Sequence, residues 1–159
     1  MESDRTQERI VTFQLGKERY GIPIEFVESI ERKGAITAIP HLPGFCVGIF
    51  ALRGQSVPII DLRMRLGIEA EKNEDYTSQY IVVTKIGTRL VGLLVGTVHE
   101  VIPADSGWLE TDIAFVTGLP ESDYLRGVLN LPTGGFVILL NLPTLLSLKE
   151  QESLNTIVP

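Results

Sequence analysis

Two glycine pairs in this chain recur at one spacing. Gly16 and Gly21 are separated by the same interval as Gly87 and Gly92, and each member of the second pair lies 71 residues beyond its counterpart. At that offset Val11 falls on Val82, Ile22 on Leu93, Val27 on Val98 and Ile30 on Val101. Later in each half the match resumes at a longer offset. Gly48 and Leu52 meet Gly127 and Leu131 at 79, and Val57, Ile59, Ile60, Asp61 and Leu62 meet Val137, Leu139, Leu140, Asn141 and Leu142 at 80. Ordered matches at a nearly constant offset define a duplicated unit whose loops are longer in the second half.

The unit is β in character. Val11, Phe13 and Leu15 alternate with Thr12 and Gln14, the period of a half-buried strand, and Tyr20, Ile22 and Ile24 resume it after a turn. Pro23 to Phe26 reads as one helical turn and Val27 to Glu31 as extended chain. Further strands are expected at Gly48–Leu52, Ser56–Leu62, Tyr80–Ile86, Leu90–Val95, Val98–Ile102, Gly127–Leu131 and Phe136–Leu140, with a terminal helix starting within Leu142–Leu148. Pro58 cannot donate to a ladder, which places its strand at an edge or a bulge. Fifteen glycines and nine prolines punctuate these short strands, the pattern of small barrels or a sandwich. The polar arm 1–8, the acidic linker 69–78 and a frayed tail 151–159 bound a domain at 9–150, with halves at about 10–68 and 79–148.

The residues carry no reaction chemistry. No Gly-x-Ser-x-Gly elbow and no phosphate-cradling loop is present. His41, His99 and Cys46 lack metal-ligand spacing, so no metal and no cofactor is expected; a site shared by His41 and Cys46 across the proline loop is the one arrangement worth testing. Asp61 at a strand end suits capping of the next turn, with Asn141 in the matching place. A net charge of −6 opposes nucleic-acid binding and adsorption to anionic lipid, and no apolar stretch is long enough to span a bilayer. A single cysteine suits a reducing cytosol. Arg53, at the turn Leu52-Arg53-Gly54, reads equally well as a solubilising tip or as a five-donor anchor for a partner.

Taken together, Phe13-Gln14-Leu15-Gly16, Tyr20-Gly21-Ile22, Val27-Glu28-Ser29-Ile30, the proline loop Pro40–Phe45 and Leu52-Arg53-Gly54-Gln55-Ser56-Val57-Pro58-Ile59-Ile60-Asp61-Leu62 resemble the CheW family, from about Ile10 to Leu148. The resemblance implies an all-β fold: two small five-stranded barrels, SH3-like or OB-like, sharing an apolar core, with strands exchanged between them. It implies a non-enzymatic cytoplasmic adaptor that couples the helical tips of chemoreceptors to the regulatory domain of a CheA-type histidine kinase in membrane-bound arrays, and weak ring-type self-association. By position, Val27, Ile30, Val98 and Val101 are expected to line a receptor-binding groove, and Arg53, Gly54 and Glu28 a coupling interface with the kinase. Two departures stand out. Ser29 occupies the family's usual glutamate position, with Glu28 beside it, and Ala51 replaces the usual asparagine before Leu-Arg-Gly.

Three other readings compete. One is service in a pilus-motility or other sensory array. Another is a β-barrel protein that binds a small ligand, or acts enzymatically, in a pocket between the barrels, which calls for convergent polar groups in a closed cavity. The third, single-strand binding, needs a basic groove with aromatic platforms, which −6 net charge and 7% aromatics do not supply.

Overall fold

The computed structural model describes residues 8–34, 36–40, 42–68, 79–112 and 123–157. The expected linker 69–78 lies outside these, as do His41 and most of the N-terminal arm. The alternating segments form strands β1 (Glu8–Leu15), β2 (Glu18–Pro23), β3 (Val27–Arg32), β4 (Cys46–Leu52), β5 (Gln55–Asp61), β6 (Tyr80–Ile86), β7 (Arg89–Val95), β8 (Val98–Ala104), β9 (Leu109–Glu110), β10 (Leu125–Asn130) and β11 (Phe136–Leu140). Helix α1 (Leu62–Leu66) follows β5, and α2 (Leu148–Ile157) ends the described chain.

Hairpins form within each half of the repeat, but each sheet is assembled from hairpins of both halves. One sheet runs β8-β1-β2-β11-β10-β9 and the other β3-β6-β7-β5-β4. Each therefore takes one hairpin, β1–β2 or β6–β7, from one half and its remaining main strands from the other. Four pairings join the halves: β11 beside β2, with Ile138 opposite Tyr20, and β5 beside β7, with Ile59 opposite Gly92, are parallel, while β1 beside β8 and β3 beside β6 are antiparallel. The result is two SH3-like barrels related by the sequence duplication.

This exchange produces three apolar cores. Ile10, Ala104, Leu129, Val137 and Leu139 fill the first barrel, and Val57, Ile59, Ile81, Val83 and Leu94 fill the second. A larger cluster between the barrels holds Val11, Phe13, Ile22, Ile60, Val82, Leu93, Ile138 and Leu140, among others. Neighbouring residues thus alternate between cores. Val82 faces the seam while Ile81 and Val83 face a barrel interior, and both faces of the strand are dry. That double burial explains the continuous apolar runs at 90–95 and 136–140, which a one-sided sheet would not need.

The repeated glycines have a packing reason. A Cβ on Gly21 would lie 2.5 Å from Ile10 Cγ2, and one on Gly92 would lie 2.4 Å from Ile59 Cδ1. The two positions are equivalent, each crowded by one antiparallel and one parallel neighbour: Ile10 and Val137 at Gly21, Ile81 and Ile59 at Gly92.

Several expectations are corrected. The first barrel has a sixth strand, the two-residue β9, which covers the outer edge of β10 through Leu109 and Leu129. Leu62 is the first residue of α1 rather than the end of a strand, because Asp61 Oδ1 accepts bonds from the Arg63 and Met64 amides at 3.1 and 3.5 Å and starts a helix there. Asn141 makes no such side-chain cap, and the chain after it forms a short 3-10 turn. The strand bearing Pro58 is interior, yet its ladder to β7 begins only at Ile59, so the proline sits where β5 has one neighbour. Strand β10 begins at Leu125 and excludes Leu131. Glu8 belongs to β1 rather than to a loose arm, and its carboxylate takes two bonds from Arg126 at 3.0 and 2.7 Å. The C-terminal stretch is not frayed through 157. Helix α2 starts at Leu148, and its Leu154 is fully buried in the seam.

Candidate functional site

In a regular strand, residues three apart face opposite sides. Val27 and Ile30 do not. Val27 pairs with Thr84 and Ile30 with Val82, and the register shifts by one residue between Val27 and Ser29. Val82 lies in the seam cluster, and Thr84 is two residues away on the same face, so the β-bulge at Glu28 turns both apolar residues towards the seam. The second half repeats the device. Val98 pairs with Phe13 and Val101 with Val11, both seam residues, across a register shift between Val11 and Phe13.

Strands β3 and β8 stand at the ends of their sheets. Their inner residues, Val27 and Val98, pack half-buried against the seam cluster, while Ile30 and Val101 remain 41% and 44% exposed. The structure therefore sets the four expected groove residues into two equivalent apolar strips, each beginning at the common core and ending in solvent. Bulges also suit edges, because they disrupt the template that would pair with another strand.

Between the apolar residues of each strip lie two polar ones. In β8 these are His99 and Glu100: His99 Nε2 is 3.2 Å from Gln14 Oε1, and Glu100 is 3.8 Å from Arg19 Nη1. In β3 they are Glu28 and Ser29. Glu28 is exposed, whereas the Ser29 hydroxyl oxygen is shut away from solvent with no hydrogen-bond partner among the described residues.

Arg53 and Gly54 are the two central residues of the β4–β5 hairpin, since Leu52 pairs with Gln55. Both have positive φ, 48° and 79°, as a type I′ turn requires. Arg53 is exposed and bonds to nothing among the described residues. In the sheet order β6 and β7 separate this hairpin from β3, so Glu28 is grouped with the Val27–Ile30 strip and not with Arg53 and Gly54.

One cluster was not signalled by any expectation above. Arg65 of α1 donates through Nε to the Leu145 carbonyl at 3.0 Å and makes a two-pronged pair with Glu150 of α2. Its guanidinium carbon lies 5.7 Å from the Phe45 ring centre and 4.9 Å from that of Tyr124. Glu150 also caps α2: its carboxylate accepts the Ser147 amide at 2.9 Å, while its own amide donates to Ser147 Oγ at 3.1 Å. The sequence cue is Ser147-Leu148-Lys149-Glu150, a capping box. Burial pushes the Glu150 pKa up, but the bonds from Arg65 and Ser147 outweigh it and leave it lowered. An open groove of about 920 Å³ runs beside this clasp past Asp123 and Pro143.

The remaining candidates show no chemistry. Cys46 is buried, which raises its pKa, and its thiol donates weakly to the Gly48 carbonyl. Among the described residues no group of three or more His, Cys, Asp or Glu side chains could hold a metal ion, and no helix is long and apolar enough to cross a membrane. Both barrel interiors are filled by aliphatic side chains. The groove at α2 is open to solvent, and its Arg65 and Glu150 are already paired with each other.

A pair of strand-exchanged SH3-like barrels that presents edges and a hairpin tip, with solid interiors, defines a binding protein of the scaffold type. Residues 9–150 match the CheW-like domain, and the chain belongs to the CheW family of chemotaxis coupling proteins. It is similar to the chemotaxis protein CheW of Treponema pallidum, with 30% identity over 151 residues, covering 93% of this chain and 87% of the relative. It is also similar to CheW of Klebsiella aerogenes, with 32% identity over 143 residues, covering 90% and 84%. The crystal structure of the scaffolding protein TtCheW from Thermoanaerobacter tengcongensis superposes with a TM-score of 0.78 at 32% identity, covering 91% of this chain and 96% of that one.

Proposed function

We propose that this protein is a non-enzymatic adaptor that couples the cytoplasmic helical tips of chemoreceptors to a CheA-type histidine kinase, working in the cytoplasm at membrane-bound receptor arrays. The observation that carries this reading is the pair of bulged edge strands. Each bulge aligns two apolar side chains that a plain strand would send to opposite faces, and leaves the outer one exposed beside the core. A helix with apolar residues at i and i+3 or i+4 fits such strips, and the charged rims orient it. Arg53 supplies the second contact. It is a planar donor at a hairpin tip with no internal partner among the described residues, suited to a carboxylate or backbone carbonyls on the kinase's regulatory domain.

The apolar cluster that fills the seam disfavours the small-ligand reading, which needs convergent polar groups in a pocket between the barrels. Co-purification with receptor-tip and kinase fragments from the same genome tests the assignment. Val27→Lys presses a charge against the seam and is expected to cut receptor-fragment affinity by at least about tenfold while sparing kinase binding. Weakened kinase binding with unchanged receptor binding would show the receptor site to be misplaced.

A further inference from the structure

Helix α2 is fastened to the barrels rather than built into them. Every strand of both sheets is paired without it, and neither barrel interior contains one of its described residues. Its ten residues are too few for a stable helix in isolation. Among its described side chains Leu154 alone is buried, in the seam, and Leu148 at its start is 79% exposed. The other fastenings are polar. Gln151 Nε2 donates to the Leu146 carbonyl at 3.1 Å, Asn155 accepts from Arg89 of the β6–β7 hairpin, and Glu150 engages Arg65 and Ser147.

Arg65, in contrast, belongs to the junction of the two halves. At the offset of 80 that relates β5 to β11 it falls on Leu145, and at the offset of 79 Phe45 falls on Tyr124. Its side chain therefore bonds to the carbonyl of its own counterpart and has the two equivalent rings at 5.7 and 4.9 Å. None of these three contacts involves α2, so they hold the guanidinium in place with or without the helix. Glu150 is placed the other way: its described bonds outside the cap of its own helix all go to Arg65. We propose that α2 is a detachable strap latched by the Glu150 carboxylate, which the helix can slip without unfolding either barrel. Arg65 is the fixed side of the latch and Glu150 the moving side. Because one carboxylate serves both the ion pair and the capping box, loss of its charge weakens clasp and cap in one step. Release unseats Leu154 from the seam and leaves the Arg65 Nη donors without that partner beside the groove of about 920 Å³, so the strap covers an apolar seat and a cation together. This goes beyond the adaptor reading and does not depend on it.

Native-state hydrogen exchange of the full chain at neutral pH, over a series of low urea concentrations, tests the strap. Exchange through a partial opening depends less steeply on urea than exchange through global unfolding, because less surface is exposed. In wild type the amides of 151–155 in α2 are expected to show less than about half the urea dependence of the Val82, Leu93 and Ile138 amides in the seam strands. Glu150→Gln is expected to speed exchange in α2 by at least about tenfold with the same shallow dependence, since a charge-assisted pair is lost. Glu152→Gln neutralises an exposed carboxylate of the same helix outside the clasp and is expected to change it by less than about twofold. The inference is overturned by a wild-type α2 that follows the urea dependence of the seam strands, by a Glu150→Gln protein that fails to fold, or by equal effects of the two substitutions.

Discussion

Arg53 occupies a backbone conformation that the other described residues reserve for glycine. Three hairpins in the structure have two-residue loops: Gly16-Lys17, Arg53-Gly54 and Gly87-Thr88. In the first and third the leading residue has positive φ and is glycine; in the second it is arginine, the one non-glycine with positive φ among the described residues. A side chain there costs roughly 1–2 kcal/mol, and the cost falls for asparagine, which tolerates the left-handed region. Nothing among the described residues offsets it, since the guanidinium has no partner there. Arg53→Asn should therefore raise stability by about 1 kcal/mol, or by about 2–4 °C in melting temperature for a chain of this size. Glycine at the same place gains less, because it also loosens the unfolded chain. The same Arg53→Asn protein should lose assembly with receptor and kinase, while Arg53→Glu keeps the strain, leaves stability near wild type and also loses assembly. Urea unfolding and pull-down with both fragments measure the two halves of the argument. A less stable Arg53→Asn protein would mean that the arginine supports the fold, and the strain argument would fail. A more stable variant with full assembly would keep the strain and remove the function.

Three further outcomes follow from packing. Arg65→Met leaves Glu150, 23% exposed, without its cation and should cost about 2–3 kcal/mol, with faster amide exchange in α2. Because the folded pKa of Glu150 is lowered, the stability it contributes is complete above its unfolded value of about 4.3 and is lost as pH falls through the folded value; the Arg65→Met protein should show a shallower acid limb in its stability profile. Gly92→Ala drives a methyl to 2.4 Å from Ile59 Cδ1 and 2.8 Å from Ile81 Cγ2, an overpacking cost of about 1–3 kcal/mol in urea titration; a loss under about 0.5 kcal/mol would show that the barrel interior yields. Ser29→Ala removes a desolvated, unpaired hydroxyl and should stabilise by about 1 kcal/mol, a gain that a melt detects directly.

What the sequence reveals of this fold is what is local. Period-two alternation and turn glycines mark the strands because both act over a few residues, and the duplication repeats them. The exchange of strands is invisible to that pattern and is signalled only by the family resemblance: Tyr20 opposite Ile138 and Ile59 opposite Gly92 are contacts over long separations, and an alternating strand accepts many neighbours. The strips are a harder case. Val27 and Ile30 look mismatched under a period of two, and only the bulge reconciles them, so their shared face follows from the register and not from spacing alone. Some signals are present but faint. Ser147-x-x-Glu150 announces the start of α2, and Gly34 with Ile36-Thr37 matches Gly107 with Leu109-Glu110 at an offset of 73. In the structure both short segments lie over an equivalent glycine. A Cβ on Gly48 would meet the Thr37 carbonyl oxygen at 2.8 Å, and one on Gly127 would meet that of Glu110 at 2.7 Å. Nothing in the pattern announces Arg65, because a clasp between distant segments needs the fold to exist first.

On the proposed adaptor reading, the exchange also explains how one small chain would hold two partners at a set angle. Had each half closed its own barrel, the linker would govern their relative orientation. Here β1–β2 is completed by β10–β11, and β6–β7 by β4–β5, so each barrel contains structure from both halves. The seam cluster then locks the barrels across side chains from both sheets. A rotation of one barrel against the other would have to open that core, so the spacing between the edge strips and the Arg53 hairpin is set by the folded core. Duplication supplies two equivalent surfaces, and departures from equivalence make them distinct: Arg53 against Pro132 at the hairpin tips, Glu28-Ser29 against His99-Glu100 in the bulges. For an adaptor, rigidity fixes where the partners sit, and these few unequal residues decide which partner sits where.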